Sequence, residues 1–144
     1  MQDHDPHDLE RFVAAQRDVY PHVVAELARG RKASHWMWFV FPQLKALGRS
    51  ATALRYGLAS ADEARAYLAH PVLGARLVEC TRLMLAVADR SAHEILGSPD
   101  DLKFRSSMTL CAAVGADRPE FVAALARFYA GAPDAATLAI LAAV

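Results

Sequence analysis

Apolar positions recur along this chain at the three- and four-residue spacing of amphipathic helices, and no long β-branched alternating run interrupts them. Leu9, Phe12, Val13 and Gln16 follow i, i+3, i+4, i+7, with Asp8 placed to cap the first helix. Pro21, tolerated in a first helical turn, opens a second helix through Val23, Val24 and Leu27, which Gly30 ends as a left-handed cap. After a short connection over Lys32 to Ser34, the run Trp36-Met37-Trp38-Phe39-Val40-Phe41 is apolar on all sides, as a helix buried among neighbours would be, and Pro42 ends it. Ser60 with Glu63 spells a capping box ahead of Tyr67 and Leu68, and His70-Pro71 stops that helix. Pro71 then opens a long helix with Leu73, Leu77, Cys80, Met84 and Val87 on one face, leaving Arg76, Glu79 and Arg82 toward others. Ser91 with Glu94 repeats the box, and Ser98-Pro99 starts a helix carrying Leu102, Phe104, Met108 and Cys111. Asp117 to Glu120 repeats the start signal before the stripe Phe121, Leu125 and Phe128, and Asp134 caps a last helix with Leu138 and Leu141.

The pattern predicts an all-α fold: one compact helical domain over residues 8–144 behind a flexible N-terminal end over 1–7. It contains about seven or eight short helices, tightly linked and packed as antiparallel or crossed pairs. No fixed-period sequence repeat is present, so any solenoid is an irregular one.

Composition narrows the class. With 144 residues, 54% hydrophobic, the chain has enough apolar surface for one core, and its many alanines suit helices better than a sheet. Sixteen basic and sixteen acidic residues cancel, so no global field draws the protein to nucleic acid or anionic lipid. The six-residue apolar run is far short of the roughly 20 residues that cross a bilayer. Cys80 and Cys111 lie inside apolar helical patterns without a CxxC partner, which reads as reduced core thiols. The acidic, polar start of the chain is unlike a secretory signal, and the expected location is cytoplasmic.

Three groups of residues invite chemistry. On a helix, Lys103, Ser106 and Ser107 share one face with Thr109 at its edge, an arrangement that suits phosphate or carboxylate. The simpler reading has Lys103 lying along the surface and the hydroxyls bonded back to their own helix. The aromatic run is the second group: His35 at its start, Gln43 at its end and Lys32 before it frame indoles that offer a stacking face and a donor. Against this, the tryptophans are core anchors whose polar neighbours satisfy helix ends. Trp36 and Trp38 cannot share one helix face, so only one is expected to line a site. Third, His70 and Arg76 flank a helix start where free N–H groups favour an anion, although such a histidine more often caps its neighbour. The six histidines are scattered, with no zinc spacing, and no phosphate loop, nucleophile elbow or paired-acid motif occurs.

The string His35-Trp36-Met37-Trp38-Phe39-Val40-Phe41-Pro42-Gln43, followed by Leu47-Gly48-Arg49-Ser50, Tyr56, Tyr67-Leu68-Ala69-His70-Pro71-Val72-Leu73 and Lys103-Phe104-Arg105-Ser106-Ser107-Met108-Thr109-Leu110, resembles the bacterial family catalogued as domain of unknown function 1810. The likeness runs from about Leu9 to about Leu141. It implies an all-α, armadillo-like domain and brings no established activity or catalytic residue. The label calpastatin carried by some members does not suit a sequence this apolar and rich in helix caps, since that inhibitor is a disordered polar chain. Cys111 departs from the aromatic usual in the family, which implies looser packing there.

The leading functional expectation is a non-enzymatic binding module. In it Lys32, His35, Gln43, Ser50, Tyr56, His70, Arg76, Lys103, Ser106 and Thr109 converge on a pocket beside Trp36 and the rest of the aromatic run, for a small anionic or nucleotide-like ligand. The alternative is a protein-interaction scaffold with a groove between helices, the partner then being a protein. An enzyme using Lys103, His35 or Ser106 would need strongly shifted titration in a closed cleft. No cofactor, metal or catalytic residue is assigned.

Overall fold

The structure, a computed structural model, describes residues 5–143. Among these residues it has ten α-helices and no β-strand. They are α1 (Glu10–Arg17), α2 (Tyr20–Ala28), α3 (Met37–Val40), α4 (Ala51–Tyr56), α5 (Ala61–Ala69), α6 (Leu73–Ala86), α7 (Ala92–Leu96), α8 (Asp100–Val114), α9 (Pro119–Tyr129) and α10 (Ala135–Ala142). The long helices α6 and α8 organise the rest. Helix α6 packs on α2, α5 and α9, while α8 packs on α5, α7, α9 and α10, so the arrangement is irregular. Leu73, Leu77, Cys80 and Met84 of α6 meet Phe104, Met108, Leu110 and Cys111 of α8 in one core, closed by Phe12, Leu27, Phe41, Tyr67 and Phe121. Phe41 and Phe104 stack edge to face with ring centroids 4.8 Å apart, a favoured aromatic geometry.

The caps show how local chemistry sets helix ends. Asp8 does not cap α1: it takes a left-handed conformation, φ 51°, and the carboxylate of Asp5 instead accepts from the Leu9 and Glu10 amides at 2.8 and 3.0 Å. These N–H bonds hold the Asp5 carboxyl below its ordinary range. Of the end expected to be flexible, residues 1–4 lie outside the described residues, and Asp5 makes these contacts to α1. Gly30 has the left-handed φ of 74° that its capping role needs. Ser91 and Glu94 form a complete capping box at α7. At α5 the box is half made, because Ser60 Oγ accepts from the Glu63 amide while the Glu63 carboxylate accepts from Ala59 N and pairs with Arg11.

The aromatic run is not the helix its composition suggests. Only Met37–Val40 is helical; Trp36 precedes it at φ −145°, ψ 7° and Phe41 follows in a non-helical conformation. Between Phe41 and α4 the chain makes a 3₁₀ turn at Lys45–Leu47 and a two-bond bridge to Leu58, with Leu58 N donating to Gln43 O and Lys45 N to Leu58 O. Cys80 and Cys111 are free, buried thiols, and burial pushes both up to about 12, as inert core cysteines require. No helix of the described residues is long and apolar enough to cross a membrane.

Candidate functional site

A cleft of about 460 Å³ opens between the loop before α3, the start of α4 and the start of α8. Lys32, His35, Trp36, Ser50, Tyr56 and Lys103 all line it, together with Met37, Trp38, Phe39, Thr52 and Asp100. Both tryptophans reach the cleft, against the expectation that only one would. The reason is local: Trp36 sits outside the helix in a non-helical conformation, so the spacing that separates residues two apart on a helix does not govern it.

The charged centre is a triad. Lys32 Nζ lies 2.9 Å from Asp100 Oδ2, and Lys103 Nζ lies 3.4 Å from Asp100 Oδ1. Both ammoniums also lie over indoles, Lys32 at 5.0 Å from the Trp36 ring centre and Lys103 at 5.8 Å from that of Trp38. Two ammoniums against one carboxylate leave the cleft one positive charge in excess. The two lysines differ in freedom. The Lys32 side chain is 7% exposed and also donates to the Ser34 carbonyl, whereas that of Lys103 is 29% exposed.

The scaffold behind the cleft is built from buried polar side chains. Glu26 of α2, only 6% exposed, accepts from Trp36 Nε1 at 2.9 Å, from the amides of Ala33 and Ser34, and from the Ser34 hydroxyl at 2.6 Å. Burial alone raises its pKa, but the hydrogen bonds from Ser34, Ala33 and Trp36 outweigh that and hold it at about 2. One carboxylate therefore fixes both the connection and the indole. On the other side, Gln16 Nε2 donates to the Phe39 carbonyl and to Tyr67 Oη, and Tyr67 donates to the same carbonyl at 3.1 Å. Burial raises the Tyr67 phenol, which keeps it a neutral donor.

The remaining expected residues lie elsewhere. Gln43 is buried, with its Nε2 lacking a hydrogen-bond partner and its carbonyl in the Leu58 bridge. His70 Nδ1 accepts from the Val72 and Leu73 amides, capping α6. Arg76 lies over the Tyr20 ring at 4.4 Å and donates to Gln16 Oε1, so it braces the Gln16 clamp from behind. Ser106 and Thr109 bond back to the Leu102 and Arg105 carbonyls, and Ser107 is fully buried. Lys103 therefore joins the cleft without these hydroxyls, which lie buried further along α8.

Sequence reasoning missed Asp100 and Glu26. Asp100 precedes Lys103 by three residues, a spacing that pairs opposite charges on a helix but that reads equally as ordinary acid in a first turn. Glu26 left a clearer signal, a carboxylate three residues after Val23 and beside Leu27 in an apolar stripe.

Among the described residues no group of three or more His, Cys, Asp or Glu side chains is placed to hold a metal ion. Compared with known proteins, the chain matches over residues 6–141 the model of the family described as protein of unknown function, DUF1810. The chain belongs to the DUF1810 family. It is also 57% identical to the conserved hypothetical protein Rv1873 from Mycobacterium tuberculosis, with a TM-score of 0.95 to its crystal structure over 96% of this chain and 99% of that one. No curated protein matches. The DUF1810 fold is thus seen in a solved relative, while neither description names a ligand or a partner.

Proposed function

We propose that this DUF1810 protein is a non-enzymatic binding module whose cleft takes a small anionic, nucleotide-like ligand. The observation that carries the reading is the convergence of two lysines and two tryptophans on one cleft of about 460 Å³, contributed by two well-separated stretches of chain. That volume lies in the range of small-molecule sites, and aromatic walls with a few placed polar and charged groups are their usual chemistry. The partly exposed ammonium of Lys103 supplies donors and positive charge for an electron-rich group of the ligand, while Trp38, Phe39 and Tyr56 supply flat apolar surface for a ring.

The test is a ¹H–¹⁵N titration that follows the indole N–H signals of Trp36 and Trp38 against inorganic phosphate, mononucleotides, short RNA and a peptide pool. Saturable shifts with a mononucleotide, weakened about tenfold or more in Lys103→Ala, are expected from loss of a charge-assisted hydrogen bond. Indole signals that no anion moves would sink the reading.

A second reading, a scaffold for a protein partner, draws on a larger cleft of about 810 Å³ along α6, lined by Ala75, Val78, Leu83 and Ala86 with Glu79, Arg82 and Arg118. Its apolar furrow of small side chains has the shape that helix recognition uses. Shifts confined to α6 amides on adding the peptide pool would favour it.

A further inference from the structure

We infer that the cleft selects guanine among nucleotide bases, and that the Lys103–Asp100 pair is the edge that reads it. The inference rests on the proposed nucleotide-like ligand and names its base.

The argument starts from which hydrogen-bonding groups of the triad are already engaged. The Lys32 ammonium donates to Asp100 Oδ2 at 2.9 Å and to the Ser34 carbonyl at 2.5 Å, lies over the Trp36 ring, and is almost wholly buried. These contacts engage two of its three N–H donors and fix it in place. Its contact at 2.9 Å holds the Asp100 carboxylate fixed in orientation. Lys103 is different: its contact to Asp100 Oδ1 is long, 3.4 Å, and its side chain is more exposed, so its ammonium keeps free donors. Asp100 itself is 18% exposed, and an ionised carboxylate has about four lone-pair positions, of which the two lysines take two.

Taken in the order of these contacts, the groups that Lys103 and Asp100 bring to the cleft lining run donor, acceptor, acceptor: Lys103 Nζ, Asp100 Oδ1, Asp100 Oδ2. A planar base satisfies it with the opposite order, acceptor, donor, donor. Guanine has that order along its Watson–Crick edge: O6 accepts, N1–H donates and the 2-amino group donates. Adenine presents a donor then an acceptor, cytosine a donor and two acceptors, and uracil a donor between two acceptors. Each leaves at least one charged group of the triad facing a like partner or none. Such a mismatch in a partly desolvated cleft costs more than the matched bond gains, so selection follows from what the wrong base leaves unpaired. With its edge on the triad, the ring lies among Trp38, Phe39 and Tyr56, a stacking environment used for unpaired bases generally.

Calorimetric titration of the whole protein with GMP, IMP, AMP and UMP tests the inference without any variant. IMP differs from GMP only in lacking the 2-amino donor, so GMP should bind about tenfold more tightly than IMP, and AMP and UMP more weakly still. Asp100→Asn keeps an oxygen for Lys32 but replaces one acceptor by a donor. The new amide donor then faces N1–H, which GMP and IMP share, so both should bind about tenfold or more weaker, with a ¹H–¹⁵N spectrum showing the native fold. Should that variant not fold, Lys103→Met serves instead and should weaken GMP and IMP alike, by about tenfold, through the lost contact to O6. IMP binding as tightly as GMP, or AMP more tightly than either, overturns the assignment. If all four nucleotides bind equally and move the indole signals, the base assignment fails while the cleft remains a nucleotide site; if none moves them, both fall together.

Discussion

Glu26 is the residue on which the geometry of the cleft most depends, although it lines no part of it. Its two oxygens take the Trp36 indole, two amides and a hydroxyl, so a single buried carboxylate holds the connection from Ala33 to Trp36 in place. Its folded pKa, about 2, lies below the ordinary 4.5, so this contribution to stability is complete above about pH 4.5 and is lost as pH falls toward 2. Glu26→Gln should remove it at every pH: an amide cannot accept at both positions, and one N–H would face the donors it now serves. The expected cost is about 1–3 kcal/mol at neutral pH, from charge-assisted bonds lost in a buried setting. The acid limb of the stability curve should flatten in the variant. Urea midpoints measured from about pH 7 down to about pH 3 decide it, and a variant as stable and as acid-sensitive as the parent would show that Glu26 does not hold the loop.

At the scale of helices, Gly74 sets how closely α5 and α6 approach. A Cβ on Gly74 would stand 2.1 Å from the Leu68 carbonyl oxygen, which Arg118 Nη2 from the entry to α9 also contacts at 2.8 Å. Backbone cannot yield as a flexible side chain can. Gly74→Ala should therefore part the two helices and cost about 1–3 kcal/mol despite alanine's better helix propensity, read as a lowered denaturation midpoint. A midpoint that rises instead would mean the helices can spread without loss. The elements that the sequence makes legible are those long enough to show a stripe: α2, α5, α6, α8 and α9 have their starts marked by Pro21, Ser60, Pro71, Ser98-Pro99 and Pro119, and their buried faces at helical spacing. The short ones are harder to read. Helix α4, of six residues, carries no stripe long enough to read, and α3, expected over the whole aromatic run, shrinks to four residues. Capping at α1 was legible in kind and displaced in position, because Asp5 and Asp8 have the same chemistry and only the chain's turn between them selects one.

For the molecule as a whole, the cleft joins stretches of chain whose packing no local pattern specifies, although Lys32, His35, Ser50, Tyr56 and Lys103 are all expected there. Lys32 and His35, Ser50 and Tyr56, and Lys103 are brought together only because α3 and α8 both pack against the shared core through residues such as Phe41 and Phe104. Residues legible as polar neighbours of an apolar string separated in the fold for a simple reason: Ser106 and Thr109, three and six residues after Lys103, are buried and bond back to their own helix, and Gln43 turns into the bridge to Leu58. The same joining makes a whole-molecule prediction. A ligand seated between these segments binds the folded chain alone, so at about a hundred times its dissociation constant it adds about 2.7 kcal/mol to global stability. For a chain of this size that corresponds to a rise in Tm of about 5–10 °C. Melting curves with GMP should show this rise for the native protein and, for a tenfold weaker affinity, about half of it lost in Lys103→Ala at the same concentration. Inorganic phosphate should give less, because it meets the ammonium and the repelling Asp100 without the aromatic walls. A rise of equal size with phosphate, or one that persists in full in Lys103→Ala, would place the ligand somewhere other than this cleft.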